Sequence, residues 1–313
     1  MNGCDIVVIG SLNSDLVATV ERFPNAGETL TGRDFVINCG GKGANQAYAA
    51  AALGGAVAMV GQVGSDDSGA VQIKNLSSIG VRVASVQRDN NQPTGTAIIE
   101  VESSGENRII IVPGANGTLT ADRLEPSLNL LQEAKLLLLQ LEIPMETVAE
   151  AIRIGKEFGV QIVLDPAPAA PIPDEWCASI DFLTPNLTEL GSLTGDRLEE
   201  DTPLEQVTQS ARRLCDRGVP CVITKLSSRG AIRVTAHDSY HQPAPAVQVV
   251  DTTAAGDCFN AAFAVALASD HSEQDAIEFA VAAGSLSVTR RGAQKAMPVR
   301  REVLSFMKTK KTS

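Results

Sequence analysis

Short apolar runs alternate with helix-like segments along most of the chain, and three of the connections close alike: "SSIGVRV", "EFGVQIVL" and "DRGVPCVI". In each, a glycine suits the left-handed residue that ends a helix, and β-branched residues then open a strand. The runs "DIVVIG", "VAMVGQVG", "AKLLLLQLE", "VQIVLDPAP", "DFLTPN" and "PCVITKLSS" predict strands. This βα alternation constrains the fold more than any other feature. It predicts an α/β protein with a mostly parallel sheet covered on both faces. At 313 residues and 44% hydrophobic, the chain can bury a core of that size.

Two stretches break the alternation. "DLVATVERFPNAGETLTGRDFVIN" and "GTAIIEVESSGENRIIIVPGAN" alternate apolar and polar residues around the turn signals "PNAGE" and "SSGEN". They predict antiparallel hairpins, a lid built from segments of about 14–38 and 95–113 on a single domain spanning 1–313. A further short strand is expected at "VQVV", ahead of the turn "DTTAAGD".

The balance of 26 basic against 37 acidic residues gives −11, which argues against general binding to nucleic acid or an anionic membrane. The six cysteines show no C-x-x-C pair, as expected of reduced thiols in the cytoplasm. "IVVIG" is too short for a signal-peptide core, and "LLLLQLEIP" is too short to span a bilayer.

Ligands of open α/β sheets bind beyond the carboxyl ends of the strands. There the sequence offers Asn13 and Asp15, Glu142, Asn186 and Glu189, the loop "SSRG", and "DTTAAGD". In "CGGKGANQAYAAAALG", Gly40, Gly41 and Gly43 free the main chain to approach a ligand, while Lys42 and Asn45 can donate to its oxygens. A P-loop on Lys42 would need glycine at Val36 and a hydroxyl residue at Gly43. A dinucleotide fingerprint would need more glycines than "GSLNSD" has. The zincin-like spacing of His237 and His241 runs into "QPAPAV", where prolines forbid the helix such a site requires. Trp176 reads as a packing residue.

"AAGD" places Asp257 at a helix start, where an acid is ordinarily a cap. A cap alone does not call for Ala254, Ala255 and Gly256 before it. Bare amides there can approach a phosphate, and a carboxylate beside them can orient a hydroxyl and accept its proton.

From about Ile6 to Pro298 these segments resemble the ribokinase family of carbohydrate kinases. "GGKGANQAYAAAALG" and "VVDTTAAGDCFNAAFAVAL" match its two signatures, with "QLEIP", "TPNLTE", "LSSRGA" and "VTRRGAQKAMP" in family order. The resemblance implies a three-layer α/β/α Rossmann-like sandwich with a β lid that serves as a homodimer interface. It also implies transfer of the ATP γ-phosphoryl to the primary hydroxyl of ribose, with Mg²⁺ and K⁺. Carried over by position, Asn13, Ser14, Asp15, Gly41, Lys42, Gly43, Ala44, Asn45 and Glu142 would bind the sugar. Asp257 would be the base, and Ala254, Ala255 and Gly256 the anion hole. Asn186, with Lys225, Leu226, Ser227, Ser228, Arg229 and Gly230, would hold the nucleotide together with Gly256 and Asp257. Asn186 and Glu189 would place Mg²⁺ and phosphate. Asp251, Thr253, Ser287, Arg290, Gly292 and Ala296 would hold the monovalent cation.

The sequence departs from the family pattern at Ser227, where glycine is usual in "L-G-x-x-G", and at Ala254, where "GAGD" becomes "AAGD". Family members acting on fructose, a deoxy-sugar acid or a nucleoside are the neighbouring readings. A nucleoside would want aromatics, and the lid offers only Phe23 and Phe35. A sugar-sensing protein without catalysis is the reading from another class. Cys39, beside Gly40 and Gly41, would be a redox-sensitive thiol if oxidation there blocked the pocket.

Overall fold

A computed structural model describes residues 4–103 and 106–311. In chain order the strands are β1 (Ile6–Ile9), β2 (Asn13–Thr19), β3 (Asp34–Gly40), β4 (Val57–Gly64), β5 (Arg82–Asp89), β6 (Gly95–Val101), β7 (Asn107–Val112), β8 (Leu136–Leu139), β9 (Gln161–Leu164), β10 (Phe182–Leu183), β11 (Cys221–Lys225), β12 (Ala231–Val234) and β13 (Ser239–Gln242). The helices are α1 (Lys42–Ala52), α2 (Asp67–Ser78), α3 (Leu128–Glu133), α4 (Met145–Phe158), α5 (Asp174–Cys177), α6 (Leu187–Thr194), α7 (Leu204–Asp216), α8 (Ala255–Ala268), α9 (Glu273–Ser287) and α10 (Arg300–Lys311).

Nine strands form the main sheet in the order β13-β12-β11-β10-β9-β8-β1-β4-β5, parallel from β11 through β5 and antiparallel at β12 and β13. Strands β1 and β8 are apolar throughout because both faces of the sheet are covered there. Along β1, Ile6 and Val8 enter one core with α1, α8 and α9, while Val7 and Ile9 enter the other with α4 and α7. Leu136 and Leu138 of β8 split from Leu137 and Leu139 in the same way. The strand period of two thus distributes one run of residues between two cores, giving the three-layer α/β/α arrangement. Trp176 packs in the second core.

Strands β3, β2, β6 and β7 make a separate four-stranded sheet from the segments expected to be a lid. Both hairpins are antiparallel, as the alternation predicts. They are joined by a parallel pairing of β2 with β6, Asn13 to Gly95 through Thr19 to Val101, which local patterning cannot signal. The turn "SSGEN" includes Ser104 and Gly105, which lie outside the described residues.

The expected strand at "VQVV" is absent. Residues 243–250 carry no strand, and Val249 and Val250 are exposed, so an apolar pair without a sheet neighbour stays in a loop. Conversely, the polar segment "SYHQ" is β13, paired with β12. His241 therefore lies on an edge strand, where its Nε2 meets the Arg229 carbonyl at 2.8 Å. Among the described residues no group of three or more His, Cys, Asp or Glu side chains is placed to hold a metal ion, and no helix is long and apolar enough to cross a membrane.

Candidate active site

The carboxyl ends of β1, β8, β9 and β11 converge with the N-termini of α1 and α8. Chain crossing at this point is very close. Gly41 has φ +87°, and a Cβ there would lie 2.7 Å from the Asn13 nitrogen; one on Gly43 would lie 2.7 Å from the Gly10 carbonyl carbon. The glycines of "GGKG" are thus required by the chain's own packing against residues 10–13, with the Ala44 amide bonded to the Ser11 carbonyl at 2.9 Å. At Gly40 the space left by the missing side chain is filled by the Asp15 carboxylate. This freedom seats α1 over the first strand.

That seating brings the expected sugar residues together. Glu142 accepts from the Ser11 hydroxyl at 2.5 Å and from the Lys42 amide at 3.1 Å. The Asn13 side-chain oxygen accepts from Asn116 Nδ2 at 2.7 Å, and Asn116 Oδ1 accepts from the Leu12 amide at 2.9 Å. This leaves the Asn13 amide nitrogen as the group to offer a ligand. Ser14 and Asp15 follow on β2 and are buried. Burial pushes the Asp15 carboxyl up to about 7, with Glu142 and Asp257 adding like charge.

Asp257 occupies the first turn of α8, yet it does not cap the helix. The cap position is Ala254, with φ +58°, and no side chain caps this end. The Ala255 amide is taken by the Thr252 carbonyl at 3.2 Å, whereas those of Gly256 and Asp257 donate to no acceptor among the described residues. Orphan amides are normal at a helix start. Here they lie beside a cation, because a Cβ on Gly256 would stand 3.5 Å from Lys225 Nζ.

The Asp257 carboxylate is 4% exposed, within a polar lining. Asn45 Nδ2 donates to one oxygen at 3.0 Å and Gln46 Nε2 to the other at 3.1 Å. Burial raises its pKa, Lys42 opposes that, Asp165 adds to it, and the two amide donors lower it; the result is about 6. Burial also works against the Lys42 ammonium, but Asp257, Asp165, Glu142 and Glu189 outweigh it and hold that group above its ordinary range.

Lys225 ends β11 and pairs with Asp165 at 2.8 Å, both side chains largely buried. Asp165 and Gln46 were not anticipated. Asp165 follows the run "VQIVL" directly, so the strand-end rule that selected Glu142 also selects it. Gln46 carries no such signal.

The segment after Lys225 turns through Ser227, with φ +55°, to Gly230, with φ +92°. A Cβ on Gly230 would fall 2.0 Å from the Gln242 carbonyl oxygen. Ser227 and Ala254 are both left-handed, a conformation costing a non-glycine residue about 1–2 kcal/mol. Asn186 abuts Lys225 in a parallel bridge. Asn186 and Glu189 form a reciprocal capping box on α6: Asn186 Oδ1 accepts from the Glu189 amide at 2.8 Å, and Glu189 Oε2 from the Asn186 amide at 2.7 Å. Burial raises the Glu189 carboxyl despite Lys225 nearby.

Asp251 clamps two loops, accepting from the Thr253 amide and hydroxyl at 2.9 and 2.6 Å and from the Gly292 amide at 2.8 Å. Its carboxyl is raised by burial but brought below its ordinary range by these bonds. The carbonyls of Thr253, Gly292 and Ala296 accept no hydrogen bond among the described residues. Ser287 bonds the Gly284 carbonyl, and Arg290 pairs with Glu302. Cys39 is half-buried, and burial together with Asp15 pushes its thiol up, the opposite of what a reactive thiolate needs.

Residues 4–300 match the family model described as pfkB family carbohydrate kinase. The chain belongs to that family. It is 39% identical over 302 residues to a ribokinase of Haemophilus influenzae, covering 96% of this chain and 98% of that one. A deoxyribokinase of Salmonella typhi is 38% identical over 295 residues, covering 94% and 95%. The structure of Arabidopsis thaliana ribokinase complexed with ribose and ATP superposes with a TM-score of 0.91 at 39% identity, over 98% of this chain and 99% of that chain.

Proposed function

We propose that the chain transfers the γ-phosphoryl of ATP to the 5-hydroxyl of D-ribose, giving ribose 5-phosphate. The reading is carried by one observation. Asp257 is held at an uncapped helix start, its neighbouring amides unused and the Lys225 ammonium beside them, in a chain whose relatives include ribokinases and one complexed with ribose and ATP.

Asp257, ionised above about pH 6, accepts the proton of the attacking hydroxyl as that oxygen bonds to the γ-phosphorus. The bond from phosphorus to the β,γ-bridging oxygen breaks, and ADP leaves with the electron pair. In a loose transition state the charge on the migrating group is met by the amides of Gly256 and Asp257 and by Lys225. Asn13, Asp15, Asn45, Lys42 and Glu142 are the groups set to fix the sugar, with Ser14, Gly43 and Ala44 in the surrounding main chain. Leu226 to Gly230 form the nucleotide loop.

Mg²⁺ bound with ATP would neutralise phosphate charge, and Asn186 and Glu189 would be the residues that position it. Sparse protein ligation suits an ion held mainly by phosphate and water. For K⁺, Asp251 with the unused carbonyls of Thr253 and Gly292, the residues whose amides it binds, is a fitting oxygen set; the unused carbonyl of Ala296 and the main chain of Ser287 and Arg290 would complete it. A homodimer through the lid is supported by the apolar face that Phe35, Ile37, Ile98 and Ile110, in register across β3, β2, β6 and β7, expose. Six unpaired cysteines support a cytoplasmic location, and residues 1–313 read as one kinase domain with its lid.

The Salmonella relative makes 2-deoxyribose the second reading. An ADP-release assay with MgATP and K⁺ across D-ribose, 2-deoxyribose, fructose and adenosine decides. Ribose is expected to give the highest kcat/KM; a preference for any other sugar or for adenosine overturns the assignment.

A further inference from the structure

Helix α1 packs against α8 and buries Ala44, Ala47, Ala49 and Ala50 in the core they share, and among these small residues the chain sets a glutamine, Gln46, with no solvent exposure. A buried primary amide costs stability unless each of its groups is bonded. At Gln46 each is. Nε2 donates to Asp165 Oδ2 and to Asp257 Oδ1, both at 3.1 Å, and Oε1 accepts from Gln140 Nε2 at 2.6 Å. The reversed amide would aim its carbonyl oxygen at two carboxylate oxygens, so its orientation is fixed.

We propose that Gln46 is a positioning residue for phosphoryl transfer, holding the Asp257 carboxylate at a set attitude to the Lys225 ammonium by way of Asp165. The inference rests on the kinase reading and adds to it. The chain of contacts is continuous: Lys225 Nζ to Asp165 Oδ1 at 2.8 Å, Asp165 Oδ2 to Gln46, and Gln46 to Asp257. Asp257 Oδ2 is fixed from the other side by Asn45, which itself accepts from Gln294 at 3.1 Å. The plane of the carboxylate is therefore set by two amides, one on each oxygen. Through Asp165, the same amide ties the base to the cation beside the Gly256 amide, so the group that takes the proton and the group that steadies the phosphoryl move as one unit.

Charged groups around Asp257 come from several elements: Lys42 on α1, Asp165 after β9 and Asp15 on β2. Lys225 lies beyond Asp165, and Glu142 and Glu189 share the field of Lys42. Gln46 is the neutral donor that lets Asp165 and Asp257 sit on either side of one nitrogen without facing each other bare.

The test compares Gln46→Met, similar in length and without donors, with Gln46→Glu, which keeps the shape but replaces the donor by an acceptor. For each, kcat, KM for ribose and ATP, the pH profile of kcat and calorimetric ribose affinity are measured beside wild type. Gln46→Met is expected to lower kcat by roughly 10–100-fold, the cost of loosening the support of a reacting group, with both KM values within about threefold. Its acid limb moves to higher pH, because Asp257 has lost a donor and faces Asp165 directly. Gln46→Glu is expected to lose more turnover and to move the limb further. A Gln46→Met kcat within about threefold of wild type, or a fall in kcat with the acid limb unmoved, overturns the proposal. If Gln46→Met does not fold, Gln46→Glu is judged by the same two criteria. Wild type phosphorylating ribose while both variants are indifferent defeats the role of Gln46 alone; wild type inactive on ribose defeats the kinase reading with it.

Discussion

Replacing Asp257 by asparagine removes a charge that the fold holds at a cost, and the cost can be sized. The carboxyl titrates at about 6 in the folded protein against an ordinary 3.8. At about 1.4 kcal/mol per tenfold change in proton affinity, that gap is worth about 3 kcal/mol. The folded state binds the proton more tightly than the unfolded chain, so this contribution is fully present below pH 3.8 and is lost as pH rises through 6. Asp257→Asn cannot titrate. Its neighbours Asn45 and Gln46 both donate, so one then faces an amide donor, and Lys42 loses a partner. Those losses are nearly constant with pH and cancel in the slope. Wild-type stability should therefore fall relative to the variant by about 2 kcal/mol between pH 4.5 and 7.5, the part of the linkage that lies in this window. Asp15, raised in part by Asp257, adds in the same direction. Urea unfolding of both proteins at several pH values reads the difference. Parallel stability curves would refute the picture of a desolvated carboxylate.

Ser227→Gly and Ala254→Gly should each relieve about 1–2 kcal/mol of left-handed strain and return about 0.4–1 kcal/mol through the freer unfolded chain. A rise in melting temperature of roughly 1–3 °C is expected for each, and a fall would show that neither residue is strained. Cys39 should alkylate more slowly at pH 7 than an unhindered cysteine, with or without ribose, since burial and Asp15 keep it a thiol. Rapid labelling in the absence of ribose would revive the redox reading.

Much of the site was legible in the sequence because strand ends are legible. Apolar runs that stop at a polar residue located Asn13, Glu142 and Asn186, and the glycine-rich turns located both helix starts. Asp165 obeys the same rule and was passed over because no family motif drew attention to it. Gln46 and Gln294 lay beyond sequence reasoning of this kind, since an amide has no chemical signature until two helices and a strand bring its partners within 3.1 Å. "VQVV" misled because apolarity alone does not supply a neighbouring strand, and "SYHQ" was missed because an edge strand needs little apolarity. The β2–β6 pairing joins residues far apart in the chain and follows from the assembly of the four-stranded sheet rather than from either hairpin.

Turnover of Asp257→Asn, measured with saturating MgATP beside its calorimetric affinity for ribose, tests the base most directly. A fall in kcat of at least ~10²-fold with affinity within about threefold is expected of a lost general base. Undiminished turnover would leave the carboxylate a structural feature of α8 and remove the chemistry assigned to it.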